Sequence, residues 1–188
     1  MTLPKLTSKP LLRESPEDLF EQYASKIYGL AIKCGLASRD AEDGVQEVFI
    51  KIHRKLDTFR GESALSTWIY RVALNTLRDH RRKVARYARA QSLTEYEERN
   101  SIPERNDAYS NPSVGAERNE RRQLVRNALD RLPDKFREVL VLRELEGLSY
   151  RDISRILDVK HGTVESRIYR ARTRLALEIS NLKEDLND

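Results

Sequence analysis

Apolar residues recur every three or four positions through most of this chain, and that period, more than any other feature, limits what it can fold into. Leu19, Phe20, Tyr23, Ile27, Leu30 and Cys34 make one stripe. After a break around residues 35–39, Val45, Val48, Phe49, Ile52 and Leu56 make a second, and Leu65, Trp68, Ile69, Val72 and Thr76 a third. Each stripe is one face of a helix, and three such helices can bury their faces against one another. A second group follows. Leu124, Val125, Ala128, Leu129 and Leu132 form a stripe ended by Pro133, which is placed to open the next helix. That helix carries Phe136, Val139, Leu140 and Leu145 and is closed by Gly147. Ser149 and Asp152 form a capping box ahead of Ile153, Ile156 and Leu157, and Val164, Ile168, Ala171 and Leu175 mark a long last helix. No window alternates with the period of a strand, and 7 Gly and 6 Pro in 188 residues argue against a turn-rich β architecture. The expected fold class is therefore all-α: two small helical domains, over 14–90 and 116–184, with tails at 1–13 and 185–188. Between them, 91–115 has two prolines, several Asn and Ser and no sustained period, and reads as a flexible linker.

The net charge of +5 is a small remainder of opposed zones. Residues 14–62 hold seven basic and ten acidic side chains; residues 78–89 hold six basic ones against Asp79 alone. The sign reverses over 92–112, where Glu95, Glu97, Glu98, Glu104 and Asp107 outnumber Arg99 and Arg105, and returns over 160–174 with Lys160, Arg167, Arg170, Arg172 and Arg174 against Glu165. Two basic zones separated by an acidic one suit two contacts with a polyanion; a pair of solvated faces is the plainer alternative. No stretch approaches the roughly 18 apolar residues that span a bilayer, and the first twenty residues lack the apolar core of a secretory signal, so the chain is expected to be soluble and intracellular. The single cysteine, Cys34, excludes an internal disulfide and a multi-cysteine metal site, and on its apolar stripe it reads as a small buried hydrophobe. His53, His80 and His161 stand far apart without a second ligand at helical spacing, and no phosphate-cradling glycine loop or paired catalytic carboxylates occur. The expectation is no catalysis, no metal, no cofactor and no small-molecule substrate.

Two patterns point to nucleic acid instead. From Ser149 to Arg174 the sequence reads as a short capped helix, a tight turn at Val159, Lys160, His161 and Gly162, and a longer arginine-rich helix, as in a helix-turn-helix. With Val164, Ile168, Ala171 and Leu175 inward, Thr163, Ser166, Arg167, Arg170 and Arg174 share an outer face that can enter a major groove. Independently, Arg71, Asn75, Arg78 and Arg82 lie at i, i+4, i+7 and i+11 beside Trp68, after a loop of Phe59, Arg60, Gly61, Glu62 and Ser63. Cations, an amide and aromatic rings on a loop-helix edge suit unstacked single-stranded bases, although Trp68 also fits the core.

These segments carry a family resemblance. Residues 17–83, including DAEDGVQEVFIKIHRKLDTFRGESALSTWIYRVALNTLRDHRRK, resemble region 2 of a bacterial sigma factor of the extracytoplasmic-function (group IV, sigma-70) type, and residues 121–178, including LDRLPDKFREVLVLRELEGLSYRDISRILDVKHGTVESRIYRARTRL, resemble its region 4. The resemblance implies a cytoplasmic bacterial factor that binds core RNA polymerase, through the β′ clamp helices and the β flap, reads two promoter elements and helps melt DNA. It implies service in a stress or envelope response under an anti-sigma factor, often membrane-attached. By position it assigns clamp binding to Asp40, Asp43, Gln46 and Glu47, and minus-ten recognition to Phe59, Ser63, Arg71 and Asn75, with Arg78 and Arg82 continuing that stripe. It assigns minus-thirty-five recognition to Glu165, Ser166, Tyr169 and Arg170, beside the outward Thr163, Arg167 and Arg174. Position 165 is commonly basic in the family; Glu165 can accept from a cytosine amino group or repel phosphate. Outside the family, the same patterns would serve a dimeric DNA-binding regulator or an adaptor that occupies polymerase without supporting initiation.

Overall fold

The computed structural model describes residues 15–94 and 116–185, with side chains for 15–90 and 120–185. Those residues form seven α-helices and contain no strand. Helix α1 (Pro16–Lys33) opens on a reciprocal capping box in which the Ser15 side chain accepts from the Asp18 amide and Asp18 accepts from the Ser15 amide. It ends at Cys34 and Gly35, the latter at φ +91°. Helix α2 (Ser38–Lys55) returns beside α1, so the break between the first two stripes is shorter than 35–39 and already helical at Ser38 and Arg39. A 3-10 turn (Leu56–Thr58) and the loop around Gly61 lead into α3 (Leu65–Thr94), a 30-residue helix that packs against α2. Helices α2 and α3 approach closely at Gly44, where an added Cβ would stand 3.0 Å from a Leu77 methyl. Because α3 runs to Thr94, the first four residues expected in the linker are helical; the rest of it, 95–115, and the tails 1–13 and 186–188 lie outside the described residues.

The second domain comprises α4 (Ala116–Arg131), α5 (Asp134–Leu140), α6 (Tyr150–Leu157) and α7 (His161–Glu184). Pro133 caps α5 as expected, but α5 does not run straight to Gly147: a π-helical turn (Val141–Leu145) widens its end before Gly147 turns the chain at φ +67°. Ser149 caps α6 by accepting from the Asp152 amide. The turn that follows is tighter than the sequence suggests. Asp158 in the left-handed region (φ 54°) closes α6, Lys160 is the extended residue before α7, and His161 and Gly162 are already helical. Leu19, Ile27, Leu30, Val48, Ile52, Ile69 and Leu74 in the first domain and Leu142, Ile153, Ile156, Val164 and Ile168 in the second are fully or almost fully buried. The apolar cores of the two domains are continuous, forming one cluster. Val125 and Leu145, expected inside, are 42 % and 50 % exposed. They line a groove between α1, α2 and α4, together with Phe20, Tyr28, Val45 and Leu129.

Candidate polymerase and nucleic-acid interfaces

The α2 residues expected to meet a protein partner divide into two sets. Asp43 and Gln46 are exposed and Asp40 is half-buried. Glu47 instead faces α3, accepting from Lys83 Nζ at 3.0 Å with His80 Nδ1 3.4 Å away. Partial burial works against its charge, but the hydrogen bonds and charges of Lys83 and His80 prevail and hold the Glu47 carboxyl below its ordinary range.

Phe59, on the loop before α3, and Trp68, in the first turn of α3, pack ring against ring, centroids 5.6 Å apart and planes inclined at 55°. Both are half-buried, so Trp68 packs against the core yet keeps an edge at the surface beside Phe59. The Ser63 hydroxyl donates to the Ala64 carbonyl. Arg71 and Asn75 lie exposed along the same side of α3, and Arg82 pairs with Asp79 one turn before it. Arg78 is differently placed. Its Nε and Nη2 donate to the two oxygens of Glu138 on α5 at 2.6 and 2.5 Å, and its Nη1 donates to Asn75 Oδ1 at 3.3 Å. The Glu138 hydrogen bond is the main reason the guanidinium holds its proton more firmly than usual.

That pair is one of several by which the second domain covers α3. Arg81 pairs with Asp134, Tyr70 donates to Glu146 at 2.7 Å, Lys33 donates to the other Glu146 oxygen at 3.2 Å, and Thr67 donates to Asp152 at 3.1 Å. Between the domains Arg137 is buried, donating to the carbonyls of Leu129, Asp130, Leu132 and Cys34. The partners are 60 to 113 residues apart in these cross-domain side-chain bonds of Arg78 and Lys33, a separation that no local period encodes.

Helix α7 presents the face read from the sequence. Val164, Ile168 and Ala171 are buried, which leaves Glu165, Ser166, Tyr169 and Arg170 exposed, Tyr169 by 75 %. Thr163 and Arg167 are half-buried at its flanks. Arg174 lies over the Phe136 ring, 4.9 Å from its centroid, and Arg172 turns away to Glu144. Glu165 Oε1 sits 3.4 Å from His161 Nδ1, a neighbour of opposite charge whenever the imidazole is protonated. Among the described residues no group of His, Cys, Asp and Glu could hold a metal ion, and no helix is long and apolar enough to cross a membrane.

Residues 19–87 match the family described as Sigma-70 region 2, and residues 122–175 that described as Sigma-70, region 4. The chain is 40 % identical over 159 residues to the ECF RNA polymerase sigma-E factor of Escherichia coli K12, covering 82 % of this chain and 81 % of that one. It is also 40 % identical over 154 residues to the RNA polymerase sigma-H factor of Pseudomonas aeruginosa PAO1, covering 80 % and 79 %. Its fold is similar to that of the sigma factor RpoE solved with the anti-sigma factor NepR from Bartonella quintana (TM-score 0.60, 23 % identity, 87 % and 96 % covered). It is also similar to CnrH solved with the cytosolic domain of CnrY (TM-score 0.63, 24 % identity, 88 % of each chain). A three-helix domain with a loop-helix edge, followed by an arginine-rich helix-turn-helix, thus matches region 2 and region 4 in order and extent, and the chain belongs to the sigma-70 family, as an RNA polymerase sigma factor of the extracytoplasmic-function type.

Proposed function

We propose that the work of this sigma factor is divided by domain, with residues 14–90 and the end of α3 to Thr94 as region 2, 116–184 as region 4 and the segment between them as the linker. Asp40, Asp43, Gln46 and Glu47 form the acidic surface for the β′ clamp helices of core polymerase; Asp43 and Gln46 are free to make contact first, since Glu47 is engaged with Lys83. Phe59, Ser63, Arg71, Asn75, Arg78 and Arg82 take the non-template strand of the minus-ten element. The paired rings of Phe59 and Trp68 offer a stacking surface, and the cations neutralise backbone charge. Binding the unpaired strand better than the duplex shifts the promoter from closed to open.

Upstream, Glu165, Ser166, Tyr169 and Arg170 read base edges of the minus-thirty-five element in the major groove, while Thr163, Arg167 and Arg174 sit at the rim of that contact and position the helix on phosphates. Region 4 also meets the β flap. The protein supplies recognition and the polymerase the chemistry, so the chain is not itself an enzyme. It acts in the cytoplasm, under an anti-sigma factor, a reading supported by the similar fold of the sigma factor RpoE solved with the anti-sigma factor NepR. The groove of about 1290 Å³ between α1, α2 and α4, apolar within and flanked by Arg122 and Glu42, is the surface we assign to that regulator.

The observation that carries this reading is the α7 face: Glu165, Ser166, Tyr169 and Arg170 project together from a helix whose opposite side is locked into the helix-turn-helix core. The deciding experiment is transcription in vitro with purified core polymerase on a promoter library. Promoter-specific transcripts from bipartite, asymmetric sites are expected. Specific binding to a palindrome without polymerase, and no transcript with it, would establish a stand-alone regulator instead.

A further inference from the structure

The cross-domain contacts have a pattern that the packing of two apolar faces does not require. Four carboxylates of region 4, Asp134, Glu138, Glu146 and Asp152, each meet a donor on region 2: Arg81, Arg78, Tyr70 with Lys33, and Thr67. Thr67, Tyr70, Arg78 and Arg81 follow one another along α3 at i, i+3, i+11 and i+14, a single stripe, so region 4 lays an acidic strip along one side of this helix. The neighbouring stripe, Arg71, Asn75, Arg78 and Arg82, is the one assigned to the minus-ten strand, and the two share Arg78. Glu138 is 5 % exposed and takes both of its oxygens to that guanidinium. The Nε edge of the fork is occupied and its charge is neutralised by a buried carboxylate, so a phosphate or base edge must compete with Glu138 for it. Asn75 is drawn in as well, its Oδ1 accepting from Arg78.

We propose that region 4 is a self-inhibitory latch on region 2, in which Glu138 occupies Arg78 as an internal substitute for DNA and Asp134, Glu146 and Asp152 hold the domain in place. The minus-ten stripe is completed only when region 4 swings off α3. A chain free of polymerase is thereby kept from binding single strands, and a partner that separates the domains activates the stripe without touching it. This inference rests on the assignment of Arg78 to the minus-ten strand.

The test uses the full chain, with Glu138→Gln as the unlatching variant and Glu184→Gln, exposed at the end of α7, as a control of equal charge change. A fluorescein-labelled 20-nucleotide oligothymidylate is the probe in anisotropy titrations, and small-angle scattering reports the radius of gyration. Glu138→Gln is expected to expand the chain and bind the probe about tenfold more tightly than Glu184→Gln, equivalent to ~1.4 kcal/mol. Asp134→Asn, at the solvent-exposed Arg81 pair, should move both readouts the same way by less. Unchanged radius and unchanged affinity in both variants, with helical circular dichroism intact, would overturn the latch. Expansion with a gain that persists when Arg78→Ala is added to Glu138→Gln would retain the latch and remove Arg78 from the DNA site.

Discussion

Arg137 joins local and long-range structure, and its removal is the sharpest test of how region 4 is built. Its Nε donates to Leu129 O at 2.8 Å, its Nη2 to Asp130 O at 2.6 Å and Leu132 O at 3.0 Å, and its Nη1 to Cys34 O at 3.3 Å. Three of these acceptors are carbonyls at the C-terminal end of α4, where no glycine cap supplies donors, although Leu129 O also accepts from the Leu132 amide at 3.1 Å. A hydrogen bond to a charged group is worth about 1.5–3 kcal/mol, but four on one guanidinium are not additive, and the buried charge carries its own desolvation cost. Replacing the side chain by an apolar one, Arg137→Met, is expected to cost about 3–5 kcal/mol, because all four hydrogen bonds of the fork are lost, although Leu129 O keeps the Leu132 amide and Cys34 O keeps Arg81. For a chain of this size that is a fall in Tm of roughly 6–20 °C, measurable by calorimetry or by circular dichroism. Arg137→Lys should recover little, since one ammonium cannot span carbonyls on both sides of the fork. Gly35 supplies an internal control. An alanine there meets both the left-handed backbone, φ +91°, and Arg137 Nη1 at 2.6 Å from its Cβ. In the Arg137→Met background the second penalty disappears, and Gly35→Ala should then cost only the backbone strain, about 1–2 kcal/mol. A loss below about 1 kcal/mol for Arg137→Met, or full rescue by Lys, would refute the reasoning.

Further outcomes follow from single sites. Arg170→Ala should relax discrimination at one minus-thirty-five base pair by about 1–3 kcal/mol in binding assays with holoenzyme, while equal loss on every sequence would mark a phosphate contact. Tyr169→Ala, on a side chain 75 % exposed, should leave stability within about 0.5 kcal/mol in urea denaturation and still weaken promoter binding. Burial pushes the Cys34 thiol up to about 12, with Glu138 adding to the effect, so a thiol reagent at pH 8 should label the unfolded chain readily and the folded chain slowly. Glu47 lies below its ordinary range when folded, so its contribution is present above the unfolded value and is lost as pH falls through the folded one; Glu47→Gln should flatten the acid limb of the stability profile below about pH 4.5.

The helices were legible because their signal is local. An apolar residue every three or four positions buries Leu19, Ile27, Val48, Ile69, Ile153 and Ile168 wherever the stripes are placed, and Ser149 and Pro133 mark helix starts through side-chain chemistry contained within four residues. The Ser15 and Asp18 capping box is equally local, a serine and an aspartate three residues apart one turn ahead of the first apolar stripe. Other features lacked a local signal. Helix α3 continues through Gln91–Thr94, where the sequence carries no apolar stripe and resembles linker, because extending an established helix needs only propensity and a formed turn ahead of it. Val125 and Leu145 keep the period of a core and yet face a groove, because the stripe records which side of a helix is apolar, not whether another helix covers it.

The deepest gap concerned charge. In sequence Arg78 belongs to a block of six cations, and that context points to DNA; its partner Glu138 stands 60 residues away on α5, with nothing local to link the two. The two readings are compatible. A guanidinium suited to a phosphate is equally suited to a carboxylate, so the side chain we propose for the promoter strand is also the one that Glu138 engages. For a chain assembled from alternating charged zones, binding its partner and folding on itself draw on the same residues. The affinity measured for a promoter strand is therefore reduced by whatever fraction of the population is latched. A substitution on the α5 surface can then raise DNA affinity without contributing any contact to DNA.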